Sequence, residues 1–92
     1  MRIISQNKTT DVPYDSSVIC VEVVNKSIYD INTYFGDKWF LLGTYKTLDN
    51  AKAVLWDIAT KNKEKKTYYE MPQTNNDLTY SSTARTTGNE TL

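Results

Sequence analysis

Between residues 18 and 45 three segments alternate their side chains with a period of two and are separated by short turns. This pattern commits the middle of the chain to an antiparallel β-sheet. In residues 18–24, Ile19, Val21 and Val23 fall on one face, and Val18, Cys20, Glu22 and Val24 on the other. Apolar residues on both faces predict an interior strand. Asn25-Lys26 reads as the turn that follows. Residues 27–35 sort Tyr29, Ile31, Thr33 and Phe35 against Ile28, Asp30, Asn32 and Tyr34, an alternation with one wet face. Gly36-Asp37 supplies the next turn, with Gly taking the positive φ. Residues 39–45 complete the set, and Gly43 within them predicts a bulge or a close backbone approach.

The flanks add shorter elements. Residues 2–5 read as a strand, Asn7-Lys8-Thr9-Thr10-Asp11 as a polar turn, and Val12-Pro13-Tyr14 as extended, because Pro13 disfavours helix at Val12. After the third long strand Thr47 is a suitable N-cap, with Asp49 in the first turn facing the positive end of the helix dipole. Leu48, Ala51, Leu55, Ile58 and Ala59 share one stripe, with Val54 at its edge, and Asp57 and Lys61 form an i,i+4 pair. Residues 67–71 regain strand character and stop at Pro72. The expected fold is α+β: an antiparallel sheet of four to five strands with one amphipathic helix packed on one face. Residues 1–72 form a single domain on this reading. Residues 73–92, mostly Thr, Ser and Asn, form a tail too polar to offset the entropy of ordering and are expected to be disordered.

Composition excludes more than it assigns. Histidine is absent, which removes the commonest general base, the Ser-His and Cys-His nucleophile pairs, and the usual zinc ligands. Cys20 is the only cysteine, so no intrachain disulfide forms, and a small buried apolar residue accounts for it better than a nucleophile does. Three glycines offer no phosphate cradle. Asp11 with Asp15, or Asp30 with Asp37, are read as solvated turn residues rather than acid–base pairs. The chain is thus read as no enzyme, with no metal and no cofactor. Eleven basic and eleven acidic side chains cancel, which argues against a dedicated nucleic-acid binder, whose affinity rests on a positive excess. The start turns polar after Ile3-Ile4, unlike a signal peptide, and no apolar run reaches the ~20 residues of a membrane span. The expected location is the cytoplasm. A folded unit this short also favours partners, including a second copy of itself.

What remains is contact surface. Seven Tyr, two Trp and two Phe are many for this length, and such side chains dominate binding hot spots. Tyr34, Phe35, Trp39 and Phe40 flank the Gly36-Asp37 turn and cannot all face a core, since neighbouring strand residues point oppositely. Trp56 lies beside the helix's apolar stripe, one turn from Lys52. These six residues are the candidate binding group, weighed against ordinary packing in a small domain. Lys61, Lys63, Lys65 and Lys66 crowd the end of the helix and are candidates for phosphate contact, or for simple dipole compensation. An open sheet edge at residues 27–35 is a further candidate, for adding a partner's strand.

Met1-Arg2-Ile3-Ile4-Ser5-Gln6 followed by Asp11-Val12-Pro13-Tyr14-Asp15 resembles a set of small phage and prophage proteins of Gram-positive bacteria that open with a similar MRIISQ…VPY stretch. The resemblance continues through Gly43-Thr44-Tyr45-Lys46-Thr47 into Ala51-Lys52-Ala53, and more weakly at Tyr68-Tyr69-Glu70-Met71-Pro72. Asn7-Lys8-Thr9 stands where a Gly is common in the set. The resemblance implies a phage-encoded accessory protein acting inside the bacterial cell, and it transfers no site residues. Joined to the missing catalytic groups, it leads to the expectation of a counter-defence inhibitor. Such a protein would bind stoichiometrically to a CRISPR effector, another host defence protein or a signalling nucleotide. The alternatives are a nucleic-acid-binding regulatory protein and a phage structural or assembly component.

Overall fold

The computed structural model describes residues 1–73. They fold as α+β, with the order β1 (Arg2–Ile4), β2 (Asp11–Pro13), β3 (Val18–Asn25), β4 (Ile28–Phe35), β5 (Lys38–Tyr45), α1 (Leu48–Lys63) and β6 (Tyr68–Glu70). The strands make two sheets of three rather than one sheet of four or five: β2-β1-β6 and β3-β4-β5. The pairing is not antiparallel throughout, because β1 and β6 run parallel, with Ile3 opposite Tyr69. Expected disorder after residue 73 lies outside the described residues. Gln73 itself, assigned to the tail from composition, donates from Nε2 to the Gln6 carbonyl at 2.9 Å. Among the described residues no helix is long and apolar enough to cross a membrane.

Local chemistry explains each long element. At the Gly36-Asp37 turn Gly36 has φ 65° while Asp37 keeps an ordinary φ, the sign pattern of a type II′ hairpin, which pairs Phe35 with Lys38. The preceding turn is Lys26-Ser27 rather than Asn25-Lys26: Asn25 stays in β3 and its Oδ1 accepts from Ser27 N–H at 2.8 Å. Thr47 caps α1 as expected, its hydroxyl accepting from Asn50 N–H at 3.0 Å. The helix closes with a Schellman arrangement in which Lys66 N–H reaches the Lys61 carbonyl and Lys65 N–H the Asn62 carbonyl. Lys65 sits at the left-handed position, φ 63°, where glycine is usual. Lys65→Gly is therefore expected to stabilise the fold by about 1 kcal/mol, read as a raised urea midpoint at unchanged slope.

The core joins both sheets and the helix through Ile3, Val12, Ile31, Leu42, Tyr45, Ala51, Val54, Ile58, Tyr69 and Met71. The buried stripe of α1 is Asn50, Ala51, Ala53, Val54 and Ile58, turned from the expected one: Val54 is central, Leu48 is exposed, and Leu55 and Ala59 are half-buried. The sheets are tied by Gln6, just past β1. Its N–H donates to the Leu42 carbonyl at 2.7 Å, its Oε1 accepts from Thr44 N–H at 3.0 Å, and its Nε2 donates to the carbonyls of Thr44 and Pro72. One glutamine thus occupies the edge of β5 where another strand would otherwise pair.

Tyr45 and Tyr69 are buried, and burial holds both phenols well above the ordinary tyrosine range. Tyr69 also donates to Asp57 Oδ2 at 2.7 Å, which favours the protonated form further. In the unfolded chain both lose their protons near pH 10. Their contribution to stability is therefore complete below that pH and is lost as pH rises beyond it. The unfolding free energy read from urea titrations should fall above pH 10, with a slope that approaches about 1.4 kcal/mol per pH unit for each tyrosine. Tyr69→Phe should shallow that slope by roughly half.

Candidate functional site

Register assigns every side chain of the β3-β4-β5 sheet to a face. Ile19, Val21, Tyr29, Ile31 and Phe40 face the core beneath α1. Across the opposite face run three rows: Val18–Tyr34–Trp39, Cys20–Asn32–Leu41 and Glu22–Asp30–Thr44. No described element covers this face. Trp39 is 61% exposed, and Val18, Leu41 and Tyr34 are exposed beside it.

The rows are linked through Glu22. Its carboxylate accepts from Tyr34 Oη at 2.7 Å and from Asn32 Nδ2, and Cys20 Sγ lies 3.8 Å away. The Tyr34 and Asn32 bonds hold the Glu22 carboxyl below its ordinary range, and the same Glu22 bond raises the Tyr34 phenol. Asn32 is buried although it belongs to the uncovered face, and its Oδ1 has no hydrogen-bond partner among the described residues. Cys20 is pushed up, first by burial and then by the Glu22 charge, so its sulfur is held as the thiol, the poorer nucleophile. Among the described residues no group of three or more Cys, Asp or Glu is placed to hold a metal ion. This face can offer apolar contact area with two hydrogen-bonded carboxylates, Glu22 and Asp30, at its margin.

The six candidate binding residues do not form one group. Tyr34 and Trp39 are directly opposed on the uncovered face. Phe40 is partly buried against the core, so packing explains it. Phe35 takes the core-side parity but lies at the hairpin tip, exposed. Trp56 is 61% exposed on α1, and Lys52, one turn before it, is exposed too. The helix packs on the core side of this sheet, so Trp56 and Lys52 are separated from Trp39 by its full thickness. Val18, Leu41 and Glu22 share the uncovered face and were not singled out from composition. The signal was present in the hairpin itself: a two-residue turn at Gly36-Asp37 sets Tyr34 against Trp39, and alternation then adds Leu41.

The lysines are also dispersed in role. Lys61 pairs with Asp57 at 3.6 Å, and Lys65 forms the helix stop. Lys61 and Lys66 do share a shallow groove of about 320 Å³ with Thr67, Tyr68, Tyr69 and Glu70. Glu70 in turn pairs with Lys8 at 3.2 Å. Lys61 and Glu70 are thus each matched by an opposite charge, while no ion pair among the described residues involves Lys63, Lys65 or Lys66. The open edge expected at residues 27–35 is instead the central strand β4, and β3, expected inside, ends the sheet.

No family model matches the chain, and neither a curated protein nor a solved structure matches it.

Proposed function

We propose that this protein is a non-enzymatic binding module whose working surface is the uncovered face of the β3-β4-β5 sheet. The observation that carries the reading is the exposure of Val18, Tyr34, Trp39 and Leu41 on one flat face, framed by the Glu22 carboxylate. Contiguous exposed apolar area of this kind marks contact sites, and central Trp and Tyr side chains supply most of the energy of such contacts. The resemblance of the N-terminal motif to phage proteins suggests the setting, so the target proposed is a bacterial defence protein, blocked stoichiometrically in the cytoplasm of the host.

The test is expression of the protein in bacteria carrying an active defence system, with plasmid or phage survival as the readout. Wild type should restore survival, and Trp39→Ala should abolish the effect by weakening binding roughly thirtyfold or more. The melting temperature of Trp39→Ala should stay within a few degrees of wild type, because an exposed side chain contributes little to folding. Equal protection by both proteins would reject the face as the working surface. Absence of protection across CRISPR and other defence systems would reject the setting.

A further inference from the structure

A strand that ends a sheet presents a row of backbone donors and acceptors, and folded proteins usually blunt such edges with charge, proline or cover. β3 does little of this. Its sequence Val18-Ile19-Cys20-Val21-Glu22-Val23-Val24-Asn25 holds one charged residue and no proline, and Val18, Val23 and Val24 are exposed. It pairs with β4 on one side only. The sole irregularity is a bulge near Val24, at the far end. β5, by contrast, has its edge occupied by Gln6.

A second feature adjoins this edge. Between the start of β3 and α1 lies a groove of about 400 Å³ lined by Tyr14, Asp15, Ser17, Ile19, Leu55, Ile58 and Ala59. Five of the seven lining side chains are apolar, although polar atoms make up as much of the exposed lining as apolar ones, and Asp15 is its one charged member. The half-buried Leu55 and Ala59, which the expected stripe of α1 had placed in the core, are its helical wall. An unpaired strand edge beside an apolar groove is the arrangement for strand addition. In it backbone bonds supply affinity, and every second side chain of the ligand enters the groove.

We propose that the β3 edge and this groove together take an extended peptide segment of another protein, adding it as a fourth strand. The edge specifies an extended backbone with free N–H groups. The groove specifies an apolar side chain at alternate positions, and Asp15 specifies a flanking Lys or Arg. The site is separate from the uncovered face of the same sheet and stands whether or not that face binds a target.

The probe is a blocked peptide of alternating threonine and leucine with a lysine at each end. Its control is the same peptide N-methylated at every second amide. Both are titrated to millimolar concentration into the full-length protein and followed by amide NMR and hydrogen exchange. The unmethylated peptide is expected to shift the signals of residues 18–23 and of Leu55 and Ala59 saturably. It should slow exchange at alternate β3 amides by about tenfold. The methylated peptide should do neither. Ala59→Met fills the groove and should weaken binding about tenfold while leaving the melting temperature within a few degrees. Asp15→Asn should weaken binding about threefold at low salt. Three results overturn the proposal: no saturable shift, shifts confined to Val18, Tyr34, Trp39 and Leu41, or the β3 amides that point away from β4 already protected without peptide. In the last case the chain's own remainder or a second copy holds the edge, and protection that rises with protein concentration identifies the copy.

Discussion

A chain ended at Thr67 is expected not to fold. Six residues are lost from the described structure, but they include two of its core side chains, Tyr69 and Met71. They also include the whole parallel neighbour of β1. Burial of a Tyr and a Met is worth about 1.5–3 kcal/mol each. Beyond this, the Tyr45 hydroxyl loses the Pro72 carbonyl, which it reaches at 2.8 Å, and the Asp57 carboxylate loses the Tyr69 hydroxyl. Each polar group left buried without a partner costs about 1–3 kcal/mol. The total meets or exceeds the ~4–10 kcal/mol available to a domain of this size. Far-UV circular dichroism and amide NMR dispersion read the outcome. A chain ended at Gln73 keeps every contact described here and is the folded control. Native dispersion in the shorter chain would show that β6 is an ornament rather than a wall of the core.

Gly43→Ala is the second large effect. A Cβ at this position would lie 2.9 Å from Tyr45 Oη and 3.1 Å from Tyr45 Cε2. The ring cannot retreat, because Tyr45 is fully buried and its hydroxyl is bonded to the Pro72 carbonyl. Overpacking of this kind costs about 2–3 kcal/mol. For a domain of this length that corresponds to a fall in melting temperature of roughly 8–20 °C. The nearest atom is the hydroxyl, so Tyr45→Phe should recover part of the loss, and the two substitutions should couple in a double-mutant cycle. Purely additive effects would mean that the backbone here, and not the ring, objects to the methyl group.

The same glycine shows how the sequence could be read. Its place inside a strand predicted a bulge or a close backbone approach, and the bulge occurs: the β4–β5 register shifts between Ile31 and Asn32, where Leu42 is inserted, while the Tyr45 ring rather than another backbone fills the space at Gly43. Turns, caps and alternation act within a few residues, so the three long strands, the helix and Thr47 were legible. The partnership of Arg2 with Tyr68 was not. It joins three-residue strands from the two ends of the described chain, with no connecting turn to betray it. That is also why one sheet of four to five strands was expected where two sheets of three occur.

The misreading of β3 has a different cause. Apolar residues on both faces are the mark of a strand with neighbours on all sides, yet here one face and one edge are open. Alternation reports which residues want cover and says nothing of whether the cover belongs to the same molecule. The candidate aromatics were split for a related reason. Composition gathered Tyr34, Phe35, Trp39 and Phe40 by proximity to a turn, and strand parity then sent Phe40 to the core and left Tyr34 and Trp39 outside.

The tie between Ile4 and Glu70 bears on how the molecule is born. As the chain leaves the ribosome, the hairpins of β3, β4 and β5 can close at once, each from neighbouring residues. β1 can likewise close on β2, but its other edge has to wait until nearly the last described residue has emerged. Translation therefore delivers a half-built protein in which the second edge of β1 is the last to be paired.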